Sequence, residues 1–240
     1  VATGANGSFS AIVPGIAKVG KHNVTVEVTK VNGHDNLATN KVAKGVVAVA
    51  KTTYPSNVLI EEFTSEGCGN CPPVAEYLHT ALSTADQGRV YAACHHSGYQ
   101  TDWLTAKWDN LTGVAFGNSG GTFNPAMMFN RNEAWVKGNA NKAGLVGIPA
   151  NAAVITATTR AAMAQPANAQ LAIQVVPNAD GSKATVTVSG VCNEAYDTDN
   201  SLLTFYLTED SVKPHRQYGA KSSFRHMHVI RANNSTWGEQ

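Results

Sequence analysis

The chain has 240 residues, a formal net charge of +1 and only 15% charged side chains. That balance creates no bulk field to draw nucleic acid or an acidic membrane surface. The length allows one large domain or two to three small ones with real cores, and no apolar run approaches the ~20 residues of a membrane helix.

From the N-terminus, residues 1–52 read as β. Residues 8–13 form a short apolar strand before the turn at Pro14-Gly15. Residues 23–31 alternate, with Val24, Val26 and Val28 against Thr25, Glu27 and Thr29, as a half-buried strand does. Residues 32–40 are a polar loop and 42–50 another strand. Three strands with one apolar face do not make a stable domain alone. They are expected to be the closing strands of a β-sandwich module that begins upstream. The start without Met or a signal peptide fits a mature or trimmed fragment.

After a linker at 52–55, the run Val58-Leu59-Ile60-Glu61-Glu62-Phe63 predicts a buried strand. Glu61 and Glu62 point to opposite faces, so at least one is expected in solvent. A turn leads to Cys68-Gly69-Asn70-Cys71, Pro72-Pro73 and a helical face of Val74, Tyr77, Leu78, Ala81 and Leu82. Proline is tolerated only in the first turn of a helix, so the two prolines fix its start. The C-x-x-C therefore crosses a helix N-terminus, where free N–H groups and the dipole stabilise a thiolate.

Residues 89–96 predict the next buried strand. Residues 101–115 have helical spacing through Trp103, Leu104, Lys107, Trp108 and Leu111. A glycine-rich loop at 118–122 precedes a strand at 123–129 that opens near Pro125, as a strand proline must. Residues 151–165 predict a closing helix, ended by Pro166. Four runs, 171–176, 184–191, 202–207 and 226–232, then read as strands of a second β module covering 167–240.

The run Glu62-Phe63-Thr64-Ser65-Glu66-Gly67-Cys68-Gly69-Asn70-Cys71 resembles the thioredoxin superfamily pattern of acid, aromatic, four residues and C-G-x-C. The resemblance implies a thioredoxin-like domain over 53–166, with Glu62 as the buried acid beneath the cysteines. It also implies a cis bond at Asn124-Pro125, facing the motif. Two positions depart from the pattern: Gly67 replaces the usual tryptophan, and Asn70 precedes the second cysteine. Together with Pro125-Ala126-Met127-Met128-Phe129-Asn130-Arg131, Leu207-Thr208-Glu209-Asp210 and the stretches 226–232 and 236–239, the chain resembles a narrower family. These are outer-membrane-associated thioredoxin-fold proteins of gut and oral Gram-negative anaerobes, named for a 28-kDa outer membrane protein. That resemblance implies the cell envelope, surface or periplasm, with membrane association through a lipid anchor lying outside this sequence.

The expected fold class is an α/β thioredoxin-like domain flanked by all-β, sandwich-like modules. The expected chemistry is thiol–disulfide exchange, with protein or peptide thiols and disulfides as partners and neither nucleic acid, metal nor cofactor beyond the Cys68–Cys71 pair. Cys68 is the expected nucleophile, Cys71 the resolving thiol, Glu62 its proton acceptor and Pro125 the facing proline; Gly69, Asn70 and Asn124 would contact substrate.

Alternatives stay open. Cys68 and Cys71 could form an inert disulfide or half a zinc site, although no second C-x-x-C completes one. His95 and His96 end a strand where ligand sites gather, or are ordinary strand-end histidines. His226 and His228 could hold a metal on one strand face. Cys94 and Cys192 could bridge two modules or stay free. Trp103 and Trp108 are a helix packing face or the border of a groove. The competing function is a surface or adhesion protein that uses the thioredoxin domain as a scaffold.

Overall fold

The computed structural model describes residues 15–85, 88–107, 111–117, 121–136 and 140–234. Contacts divide the chain into two compact units: Val1–Tyr54 with Ala167–Thr198, and Pro55–Pro166 with Asp199–Gln240.

In chain order the strands are β1 (Gly20–Glu27), β2 (Lys30–Val31), β3 (His34–Asp35), β4 (Val42–Val49), β5 (Tyr54–Pro55) and β6 (Val58–Phe63). There follow α1 (Cys71–Ser83), β7 (Val90–His95), α2 (Thr112–Ala115), β8 (Ala126–Phe129), β9 (Ala140–Ala143), β10 (Val146–Ile148) and α3 (Ala152–Met163). The last strands are β11 (Pro166–Ala167), β12 (Ala169–Pro177), β13 (Ala184–Cys192), β14 (Tyr206–Glu209) and β15 (Val229–Asn233).

The first unit consists of antiparallel ribbons. β1 pairs with β4 from Gly20↔Val49 to Glu27↔Val42. β12 pairs with β13 from Ala169↔Cys192 to Pro177↔Ala184. Directly opposed residues share a face, so Leu171, Ile173, Val175, Val186 and Val188 make one apolar row. Most of that row is exposed, Ile173 at 65%. A sandwich is not formed among the described residues. The strand expected at 8–13 lies outside them.

The second unit is built on a sheet ordered β14-β15-β7-β6-β8-β10-β9. β6, β7 and β15 run parallel, while β8 pairs antiparallel to β6. The β6-α1-β7 crossover followed by an antiparallel β8 and by α3 is a thioredoxin-like core. One sheet face packs Val58, Ile60, Met127 and Phe129 against Val74, Leu78 and Ala81 of α1 and Ile155 and Ala162 of α3. Each fully buried Leu, Ile or Phe there is worth roughly 1.5–3 kcal/mol of burial. The other face carries two clusters, Phe63, Phe116 and Met128 in one and Ala93, Ala106 and Ile230 in the other.

Two expectations give way. The strands expected at 202–207 and 226–232 as part of a second β module have their counterparts in the seven-stranded sheet. Their counterparts β14 and β15 extend the central sheet, because Val229 pairs with Cys94 on the open edge of β7. An unpaired parallel edge beside a buried strand leaves N–H and C=O groups without partners, and β15 supplies them. The helix expected over 101–115 is also reduced to α2, with Trp108 outside the described residues. Upstream of α2 polar side chains take the backbone's partners: Asp102 Oδ1 accepts from the Leu104 N–H, and Thr105 Oγ1 donates to the His96 carbonyl at 2.5 Å.

Candidate functional site

α1 begins at Cys71 with prolines in its first turn and Asn70 at the cap. Cys68 and Cys71 form a disulfide across this N-terminus, with 5.4 Å between their Cα atoms. Cys71 is buried and Cys68 is partly exposed. The more accessible residue of the pair is therefore Cys68.

Gly67 stands where the pattern has tryptophan, and a Cβ there would meet only the carboxamide of Gln100, the far end of an exposed, flexible side chain that can move aside. A Cβ on Gly69 would lie 2.7 Å from a ring carbon of Tyr218. Tyr218 belongs to a loop, residues 211–228, that leaves β14 and returns to β15. The Val212↔His226 bridge closes this loop. Gln217 Nε2 donates to the carbonyls of Cys68 at 2.9 Å and Ser65 at 3.3 Å, and the Tyr218 N–H donates to the Glu66 carbonyl at 2.8 Å. The loop is thus pinned along the backbone of the C-x-x-C. None of this was legible in the sequence.

The Asn124–Pro125 bond is cis. Asn124 Nδ2 donates to Ser65 Oγ at 3.5 Å, and its Oδ1 accepts from the Tyr99 N–H at 3.3 Å. The proline segment therefore lies beside the motif's approach turn.

Both strand glutamates are buried, Glu61 at 0% and Glu62 at 2% exposure, against the expectation that one faces solvent. Each face of β6 is covered. Glu61 receives Arg131 through two hydrogen bonds of 2.9 Å, Tyr206 Oη at 3.1 Å and His95 Nε2 at 3.2 Å. Burial alone would raise its pKa, but the bonds and charges of His95 and Arg131 outweigh it and hold the carboxyl at about 2.

Among the described residues Glu62 has no cation. Burial pushes its carboxyl up to about 7, opposed only by a hydrogen bond from Cys94. The Cys94 thiol donates to Oε2 at 3.3 Å, while Oε1 is buried without a partner among the described residues. Burial and then the charge of Glu62 raise the Cys94 thiol well above its usual range, so it is a donor and not a nucleophile. Glu62, Cys94 and His226 line a cavity of about 630 Å³ beside the first turn of α1. Sequence reasoning missed Cys94 as the partner of Glu62. Its signal was the parallel register of two predicted strands, which sets Glu62 opposite Cys94.

The histidines have other partners. His95 stacks on Phe63 at 4.9 Å and bonds Glu61. His96 Nδ1 pairs with Asp102 Oδ2 at 2.8 Å, and its ring meets that of His226 at 4.5 Å. Burial, then the neighbouring His96 charge, lowers His226 to about 4. His228 pairs with Asp210. Among the described residues no group of three or more His, Cys, Asp or Glu side chains could hold a metal ion. Cys94 and Cys192 are both free thiols, one buried and one exposed, so the bridge considered between them is not formed. Trp103 borders the motif: its indole N–H donates to Glu66 Oε1 at 2.8 Å and its ring stacks on His215.

No protein-family model matches this chain, and no curated protein matches it either. Among solved structures it is similar to HBP35 of Porphyromonas gingivalis, with 24% identity and a TM-score of 0.59 over 78% of this chain and 59% of that one. This chain thus spans less than two thirds of that protein, and the likeness is one of fold. A protein of Agrobacterium tumefaciens matches at 17% identity and a TM-score of 0.46, over 76% of this chain and 73% of that one.

Proposed function

We propose that this protein exchanges thiols and disulfides with polypeptides in the cell envelope, through Cys68 and Cys71. The observation that carries the reading is the pairing of a disulfide at a helix N-terminus with a buried acid, Glu62, whose carboxyl titrates at about 7. An acid that exchanges its proton near neutral pH suits general acid–base work on a thiol.

In the dithiol form, the Cys68 thiolate attacks one sulfur of a substrate disulfide and expels the other as a thiolate. The Cys71 thiol passes its proton to Glu62, attacks Cys68 Sγ and expels the second substrate thiolate. Two electrons move to the substrate and the Cys68–Cys71 bond re-forms. Run backwards, the disulfide oxidises a substrate dithiol, and Glu62 returns the proton to the departing Cys71. In this reading Asn124 and Pro125, whose segment reaches Ser65 through the Asn124 carboxamide, would hold an extended chain against the exposed sulfur. Gly69 and Asn70 complete that edge. The envelope location is part of the same proposal, supported by an oxidised cysteine pair. Among the described residues no helix is long and apolar enough to cross a membrane.

A second reading, a binding module on a thioredoxin-like scaffold, is favoured by the exposed apolar row on β12 and β13. Reduction of a protein disulfide such as insulin's, compared between wild type and Cys68→Ser, separates the two. The exchange reading expects catalysis that Cys68→Ser abolishes. Equal, uncatalysed rates for both proteins would leave the scaffold reading.

A further inference from the structure

The loop 211–228 that lies along the disulfide motif carries Lys213, Arg216, Lys221 and Arg225, and no Asp or Glu. The whole chain is only +1, so everything outside this loop is net acidic, and the four cations lie on the segment that Gln217 and Tyr218 tie to the motif; of the acids, Glu76 of α1 shares a cavity with Lys221 and Arg225. All four cations are exposed. Among the described residues none of them has an ion pair. Arg225 spends its guanidinium on the carbonyls of Ser222 and Phe224, and the acids where the loop begins are already engaged, Glu209 with Arg231 and Asp210 with His228. Glu66, the acid nearest Cys68 in sequence, is 9% exposed, and its Oε1 accepts the Trp103 indole N–H and the His215 backbone N–H, both at 2.8 Å. It does not screen the loop from solvent.

The loop is also fixed in place. Gln217 and Tyr218 bond the carbonyls of Ser65, Cys68 and Glu66, and Tyr218, 63% exposed, rests its ring against Gly69. A positive surface tied to the backbone carbonyls around Cys68 presents the same charge to every substrate that approaches its sulfur.

We infer that the polypeptide whose cysteines react with Cys68 carries acidic residues beside them, recognised by Lys213, Arg216 and Lys221, with Tyr218 giving an apolar contact. This rests on the exchange reading and specifies its substrate class. The commitment is to a polypeptide because only a partner with its own cysteines draws the loop's charge to this sulfur. Opposed charge raises the association rate by ~10- to 1000-fold at low ionic strength and loses that advantage in salt.

The test is the rate at which the reduced protein reacts with two peptide disulfides that differ only in their flanks, Asp/Glu in one and Ser/Gln in the other. Hydroxyethyl disulfide serves as an uncharged reference. At low salt the acidic peptide should react at least about tenfold faster than the neutral one, and salt should erase the difference. The variant Lys213→Glu/Arg216→Glu/Lys221→Glu should reverse the preference, each peptide's rate being taken relative to the same protein's hydroxyethyl disulfide rate, which carries any change in the reactivity of Cys68 itself. Equal rates for the two peptides, or a preference that survives the charge reversal, would overturn the inference while leaving exchange itself intact. No catalysed reaction with any of the three disulfides would overturn the exchange reading and this inference together. Binding to anionic phospholipid vesicles, lost in the same variant and unaccompanied by a peptide preference, would overturn the assignment to a polypeptide.

Discussion

Glu61 and Glu62 are neighbours on one strand, the same residue type and equally buried, yet the two faces of the sheet give them opposite chemistry. Glu61 meets Arg131, His95 and Tyr206 and is held at about 2; Glu62 meets one thiol and rises to about 7. Burial by itself does not decide whether an acid is structural or reactive. The partner set does, and here it is supplied by different parts of the chain. The Glu61 face draws on β14 and the segment after β8, whereas the Glu62 face is closed by helices, β7 and the loop 211–228.

The largest effect should come from breaking the paired side. Glu61→Gln leaves Arg131 and His95 without their counter-charge in the interior, a loss of about 3 kcal/mol or more. The wild-type pair has its own pH signature. Glu61 titrates lower when folded than when unfolded, so its contribution is complete above the ordinary carboxylate value near 4.5. It disappears as pH falls through that value toward 2. Urea midpoints for wild type and Glu61→Gln should therefore differ widely at pH 7 and converge in acid. A constant difference down to pH 3 would contradict the assignment of the ion pair to Glu61.

Glu62→Gln should act in the opposite sense and somewhat less strongly. The folded value is raised, so ionising Glu62 penalises the folded state as pH climbs from 4.5 through 7, and the penalty is complete above that. Removing the charge should stabilise the protein by about 2 kcal/mol at pH 8.5 and change little at pH 4.5. The same variant should slow resolution of a mixed disulfide by Cys71 and spare its formation by Cys68. Destabilisation at pH 8.5 would mean that Glu62 has a cationic partner after all, and the contrast between the two faces would fail.

Much of this frame was legible in advance. Periodicity and the two prolines locate β6 and the start of α1, and the resemblance locates Asn124-Pro125. Asn151 was inside the expected closing helix and proves to be its cap, accepting the Val154 N–H at 3.1 Å. What escaped depends on long-range contact. Alternation along β6 predicts that Glu61 and Glu62 face apart, but not that Tyr206, 145 positions away, bonds Glu61. Gln217 and Tyr218 sit in a polar stretch without periodicity, and only their docking on the Cys68 backbone gives them meaning. The ribbons of the first unit fail differently. Their alternation is clear, yet it specifies an apolar face without specifying what covers it.

The smallest and sharpest prediction concerns Cys94, the one side chain among the described residues that hydrogen-bonds the Glu62 carboxyl. Its thiol donates to Oε2, and a donor favours the ionised form of an acid, so this bond is what keeps Glu62 from titrating higher still. Cys94→Ala removes the donor and should raise the Glu62 value above about 7, whereas Cys94→Ser, which keeps a donor on the same carbon, should leave it near the wild-type value or below. The carboxyl carbon shift of labelled Glu62, followed by NMR against pH, reads this directly and does not depend on turnover. Global stability cannot mimic the result, since both variants lose the same sulfur and differ only in the hydroxyl. If alanine and serine move Glu62 equally, the thiol is packing and not a donor, and the acid's value is set by burial alone. If they diverge as expected, the 3.3 Å contact between two parallel strands is the control on the Glu62 proton.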